Sequence, residues 1–120
     1  MANDKNFKIK NGLQAKRYLQ SGSALAALDV NMSSGSYFTK TLSANTTFTF
    51  SNPPASGIAG SFALEVTGAS TYTITWPSSV KWSGATTPDA PAGGEKDVYV
   101  FVTTDGGTTY YGKQAGDAVA

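Results

Sequence analysis

Residues 71–76 alternate without a break, with Tyr72, Ile74 and Trp76 on one side and Thr71, Thr73 and Thr75 on the other. A period of two marks a strand with one buried face. Pro77, which has no N–H to give to a ladder, ends it. Further on, Lys96-Asp97-Val98-Tyr99-Val100-Phe101-Val102 leads into Thr103-Thr104-Asp105-Gly106-Gly107-Thr108-Thr109-Tyr110-Tyr111-Gly112. This run reads as a strand turned back at Asp105-Gly106-Gly107, because aspartate and glycine supply the local hydrogen bonds and positive φ of a tight turn. Val98, Val100 and Val102 face one way and Tyr99 and Phe101 the other, which predicts a central strand buried between layers.

The rest of the chain repeats the theme in shorter pieces. Leu28, Val30 and Met32 alternate with Asp29 and Asn31, and Ser33-Ser34-Gly35-Ser36 is expected to turn that strand into residues 37–42. Thr46, Phe48 and Phe50 share a face before Asn52-Pro53-Pro54 breaks the ladder. Phe62, Leu64 and Val66 alternate with Ala63, Glu65 and Thr67, and the turn at Gly68-Ala69-Ser70 predicts a hairpin with residues 71–76. The Gly/Thr/Pro loop at 83–94 is long for a compact domain and is expected to be functional or partner-bound. The sum is an all-β chain: a single β-sandwich or small barrel of about eight short antiparallel strands.

Chemistry is limited by what is missing. The chain has no cysteine and no histidine. A disulfide frame, a thiolate metal site and a Ser-His-Asp machine are therefore excluded. No apolar run reaches the length of a membrane span, and the first residues lack the apolar core of a signal peptide. The acids Asp89, Glu95, Asp97 and Asp105 sit in or beside predicted loops, and nothing pairs them at a defined separation as a glycosidase requires. The expectation is a protein that is not an enzyme and takes no cofactor and no metal.

Charge is scarce and unevenly placed. Charged residues make up 14% of the chain, against roughly 25% in ordinary soluble domains. Residues 1–20 hold Lys5, Lys8, Lys10, Lys16 and Arg17 against Asp4, a balance of +4. Residues 21–120 hold four lysines against seven acids, a balance of −3. The chain thus divides into a basic N-terminal arm, 1–20, and a body, 21–120. Phe7 and Ile9 alternate with Lys8 and Lys10 in the arm. Two readings fit: an arm that reaches a partner, or a solvated edge strand whose lysines block unwanted pairing. The overall charge of +1 is far from the basic footprint of a nucleic-acid binder.

Two further groups are candidates for sites. Trp82, Tyr110 and Tyr111 could offer rings to a glycan or an interface, whereas the strand period of residues 71–76 assigns Trp76 to the core. Thr103-x-Asp105-x-Gly107-x-Thr109-Tyr110 resembles the Asp-box hairpin of sialidase-like β proteins. That resemblance implies a structural turn at Asp105, Gly106 and Gly107 rather than a catalytic one, with calcium binding by the box as the alternative.

A broader resemblance rests on Phe62-x-Leu64-x-Val66, on Tyr72-Thr73-Ile74-Thr75-Trp76-Pro77-Ser78-Ser79-Val80-Lys81-Trp82, and on the run from Asp97 to Gly112. Together with Tyr37-Phe38 and Asn45-Thr46-Thr47-Phe48-Thr49-Phe50, they resemble a module of virion proteins of tailed bacteriophages, notably cyanophage and marine-phage capsid-surface and tail-fibre proteins. The resemblance covers roughly residues 28–117. It implies a non-enzymatic structural protein, made in the host cytoplasm and residing on the virion.

A chain of one small domain suits a capsid decoration (cement) protein that binds the outside of the major capsid shell. The partners implied are the major capsid protein and further copies of the chain, a trimer favoured over a dimer, with no nucleic acid and no membrane. Lys5, Phe7, Lys8, Ile9, Lys10, Lys16 and Arg17 would make the capsid contact. The alternative is a tail-fibre or head-fibre module that binds host glycans through Trp82, Tyr110 and Tyr111.

Overall fold

Short alternating segments bury one face each, so they need a second layer to cover that face. A computed structural model describes residues 11–12, 14–16 and 21–119. It is all β apart from one 3-10 turn at Ser83–Ala85. The strands are β1 (Ser23–Ala24), β2 (Asp29–Asn31), β3 (Tyr37–Thr41), β4 (Thr46–Thr47), β5 (Thr49–Ser51), β6 (Gly60–Thr67), β7 (Ile74–Thr75), β8 (Val80–Trp82), β9 (Lys96–Thr103) and β10 (Tyr110–Gly116). A six-stranded sheet runs in the order β1-β3-β6-β9-β10-β8. Two small ladders, β2-β5 and β4-β7, pack on its inner face.

The expected antiparallel sandwich is corrected in strand direction. Among the described ladders, β1-β3, β3-β6, β8-β10, β2-β5 and β4-β7 are parallel, and only β6-β9 and β9-β10 are antiparallel. From β1 to β7 the chain passes back and forth between the large sheet and the small ladders. Each pass lays a strand beside an earlier one in the same direction. Phe38 thus pairs with Ser23 and with Leu64, and Val30 pairs with Phe50.

Two expected hairpins do not form for the same reason. β2 and β3 lie in different sheets. β6 sits between β3 and β9, while β7 pairs with β4. The Gly68 N–H donates to the Glu95 carbonyl, and its own carbonyl accepts from Gly94 N–H, so the chain after β6 is tied to the 91–95 loop instead of turning back.

The core lies between the layers. Phe38, Phe62, Leu64, Val66, Tyr99, Phe101 and Tyr110 come from the large sheet, as does Leu42 just past β3, where its N–H donates to the Thr67 carbonyl of β6; Val30 and Phe48 come from the segments opposite. Phe50 bridges the layers, its ring 4.9 Å from Phe62 and 5.0 Å from both Phe101 and Tyr110. Such pairs add about 0.5–1.5 kcal/mol each beyond area burial.

β9 is central in the sheet, but it is not apolar-buried on both faces. Tyr99 and Phe101 point inward with Asp97 and Thr103, while Val98, Val100 and Val102 point outward. The larger rings fill the interlayer space, and the valines are left on a face that no second layer of the described residues covers.

Candidate functional site

The β9–β10 turn is built on one carboxylate. Thr103 Oγ donates to Asp105 Oδ1 (3.1 Å) and accepts from Gly107 N–H (3.1 Å), and Thr109 N–H donates to the same Oδ1 (2.9 Å). The Thr109 N–H is the main cause that holds the Asp105 carboxyl below its ordinary range, helped by the Thr103 and Thr109 hydroxyls. Gly106 and Gly107 have φ of 68° and 84°. A Cβ at Gly107 would come within 2.8 Å of Pro53 Cγ and of the Tyr110 hydroxyl. The turn is therefore seated against the 53–57 loop, where Gly57 N–H donates to the Thr104 carbonyl (2.9 Å). Asp105 Oδ1 is taken up by a backbone and a threonine donor, so the arrangement organises a turn.

The three candidate aromatics do not form one platform. Successive strand residues face opposite ways, so Tyr110 points in and Tyr111 points out. Tyr110 is 3% exposed and Tyr111 61% exposed. The expectation of Tyr110 as a surface ring is corrected: it lies in the core, where desolvation raises its pKa, followed by the charges of Asp105 and Asp29. Trp82 is half-buried. Its indole packs edge-on against Trp76 (5.2 Å between ring centroids), Phe101 (5.5 Å) and Tyr99 (6.0 Å). Gly112 makes room for it, since a Cβ there would lie 3.1 Å from two atoms of the indole. Trp76 joins the core cluster, 4.8 Å from Tyr99.

A shallow groove of about 380 Å³ remains at the β8–β10 edge, lined by Lys81, Trp82, Ser83, Tyr111, Gly112 and Lys113. Lys81 is the register partner of Tyr111, and Lys113 follows two residues on, on the same face. The groove offers one exposed ring flanked by two ammonium groups. That chemistry suits a carboxylate- or sulfate-bearing ligand.

The outer face of the six-stranded sheet is a surface that the sequence reading assigned to the interior. Ser61, Val102, Tyr111 and Lys81 form one row across it, and Tyr37, Ala63, Val100 and Lys113 the next. Thr39, Glu65 and Val98 form a third. Val119 extends the apolar stripe: a Cβ on Gly116 would lie 2.8 Å from Val119 Cγ1 and 3.7 Å from Val98 Cβ. Val102 and Val119 are 36% and 58% exposed. The sequence signal for this face is the outward alternation of Tyr111 and Lys113, which shows that the strand beside the valines has a wet side.

The acids near the C-terminus serve structure. Asp97 is 1% exposed. Its Oδ1 accepts from Ala118 N–H (2.8 Å) and its Oδ2 from the Tyr99 hydroxyl (3.1 Å). Burial, then the charge of and hydrogen bond to Asp97, push the Tyr99 hydroxyl far above its ordinary range. Asp89, Glu95 and Asp117 line a polar recess of about 290 Å³. Among the described residues no group of three or more His, Cys, Asp or Glu could hold a metal ion, and no helix is long and apolar enough to cross a membrane.

Of the arm residues, Lys5, Phe7, Lys8, Ile9, Lys10 and Arg17 lie outside the described residues, and Lys16 is exposed. The chain matches no family model, no curated protein and no solved structure.

Proposed function

We propose that this chain is a non-enzymatic structural protein of a tailed-phage virion, a decoration protein that binds the outside of the major capsid shell. The observation that carries the reading is the segregation of charge: five of the nine cationic residues stand in the first twenty positions, ahead of a body of net −3. The body begins at β1, an edge of the large sheet. Phe7 and Ile9 act as apolar anchors, and Lys5, Lys8, Lys10, Lys16 and Arg17 as charge partners of the shell. Binding only the assembled shell stabilises it by mass action.

The test is binding of the full chain to purified capsids, compared with a chain lacking residues 2–12. The truncated chain is expected to remain folded and to lose capsid binding. Full binding by the truncated chain overturns the arm's role. Virion density for this protein on the tail alone overturns the capsid assignment.

A second reading, a fibre module that binds host glycans, draws on the exposed ring of Tyr111 between Lys81 and Lys113. It predicts binding of acidic glycans that is lost in Tyr111→Ala.

A further inference from the structure

On the reading that the Tyr111 ring receives a glycan, on which this rests, we infer that the groove continues past Trp82 into a trough. The trough takes an oligosaccharide by one acidic end, with neutral sugars following.

The groove of about 380 Å³ does not stop at Trp82. A second groove of about 330 Å³, lined by Trp82, Ser83, Thr86, Pro88, Lys113 and Gln114, shares Trp82, Ser83 and Lys113 with it. The polar recess of about 290 Å³ in turn shares Gln114 with the second groove. The step in the sheet edge explains this continuity. β8 ends at Trp82, opposite Gly112, whereas β10 runs on to Gly116. The chain leaving β8 turns at Ser83–Ala85 and supplies one wall, and Lys113 and Gln114 of the longer strand supply the other. The long 83–94 loop thereby acquires a use. Thr86 and Pro88 wall the trough, and Asp89 stands at its far end.

The lining changes character along its length. At the near end the exposed Tyr111 ring lies beside the ammonium groups of Lys81 and Lys113. Among the described residues no acid lines either of the first two grooves. Lys96, the other lysine on the outer face of the sheet, lies outside these grooves and pairs with Glu65 (3.8 Å). In the middle stand the Trp82 indole, the Ser83 and Thr86 hydroxyls and the Gln114 amide. Hydroxyls and an amide both donate and accept, as sugar hydroxyls require, and an aromatic ring offers an apolar body beside them.

At the far end stand Asp89, Glu95 and Asp117. The strand from Tyr111 to Gln114 covers about 10 Å, so the lysines and these acids meet different sugar units. An anionic group is held at the near end, and a second one is repelled at the far end. Selectivity of this kind uses a repulsive element as well as an attractive one.

Titration calorimetry of the full chain, with no capsid present, compares four probes. Sialyllactose carries a carboxylate on its terminal sugar alone, and trigalacturonate carries one on every unit. Sialic acid and lactose are the separate halves of the first. Sialyllactose should bind tightest, sialic acid and trigalacturonate at least about fivefold more weakly, and lactose weakest. Lys113→Gln should lower sialyllactose affinity about tenfold, toward that of lactose. The double variant Asp89→Asn, Asp117→Asn should raise trigalacturonate affinity several-fold and close its gap to sialyllactose. Both side chains are exposed, and Tyr99 bonds the Asp89 backbone carbonyl, which the substitution keeps. Circular dichroism establishes that each variant is folded.

Sialic acid or trigalacturonate binding the wild-type chain as tightly as sialyllactose overturns the trough and leaves the Tyr111 site standing. So does a double variant with no gain for trigalacturonate. If none of the acidic sugars binds, the trough and the glycan reading fall together. The capsid proposal is read from shells and stands apart from all of these results.

Discussion

The two sides of β6 are assembled in opposite ways. On one side β3 runs parallel to it and β1 parallel to β3, and between β1 and β3, and again between β3 and β6, the chain crosses to the other layer. On the other side β9 runs antiparallel to β6 and β10 antiparallel to β9, the two joined by the compact turn at Asp105. The parallel side has no local device to set its register. Its strands are held by what they bury, chiefly Phe38, Val30 and Phe48. The hairpin carries its own register in the hydrogen bonds of Thr103, Asp105 and Thr109. The parallel side therefore depends on core volume, and the hairpin on turn chemistry as well.

The sharpest way to break this contrast is to damage the core the two sides share. Phe62 lies on β6, stacked 5.0 Å from Phe101 and edge-on 6.0 Å from Phe38. Phe62→Ala should cost about 3–5 kcal/mol. Urea denaturation should show a single transition, because both sides lose the same ring. Two separate transitions would mean that the sides are independent units.

Asp97→Ala comes next. It strips Tyr99 and Ala118 of a buried acceptor and should cost about 1–3 kcal/mol, read in the same assay. A neutral result would mean that the C-terminal tail contributes nothing. Gly107→Ala forces a side chain into positive φ against Pro53 and Tyr110 and should cost about 1 kcal/mol or more. It should slow refolding of the hairpin more than Phe38→Ala does; equal slowing would erase the contrast between turn-driven and burial-driven pairing.

Acid tests the hairpin more gently. The Asp105 carboxyl is held below its ordinary range, so its contribution is present above the unfolded-state pKa and is lost as pH falls through the lower folded-state value. The stability difference between the wild-type chain and Asp105→Asn should be largest near neutrality and should close in acid. A difference that does not change with pH would remove the carboxylate from the account of the turn. The smallest effect is expected from Tyr111→Ser, an exposed position where stability should stay within about 0.5 kcal/mol.

What the sequence made legible follows the same division. The Asp105 turn, the central place of β9 and the inward face of Phe62, Leu64 and Val66 are set by neighbours within a few residues, and local pattern is enough to read them. The partners of β2, β3 and β7 are not, because a parallel ladder joins segments far apart in the chain and leaves no turn signature between them. The rings of Tyr110 and Tyr111 were separable by period alone once β10 was known to be a strand. The outward valines of β9 were not, since a β-branched run looks the same whether a second layer covers it or water does.

The reversal at β6 also bears on how far such a chain can grow. A stack of parallel strands wound between two layers is open at its end and offers the next turn of chain, or another molecule, a template to extend. Here the position beyond β6 is taken by β9 running the other way, and the sheet then finishes on β8, only three residues long. Among the described residues the other margin finishes on β1, two residues long. Neither rim is long enough to seed a fibril, so association is steered away from endless strand addition and toward particles of finite size.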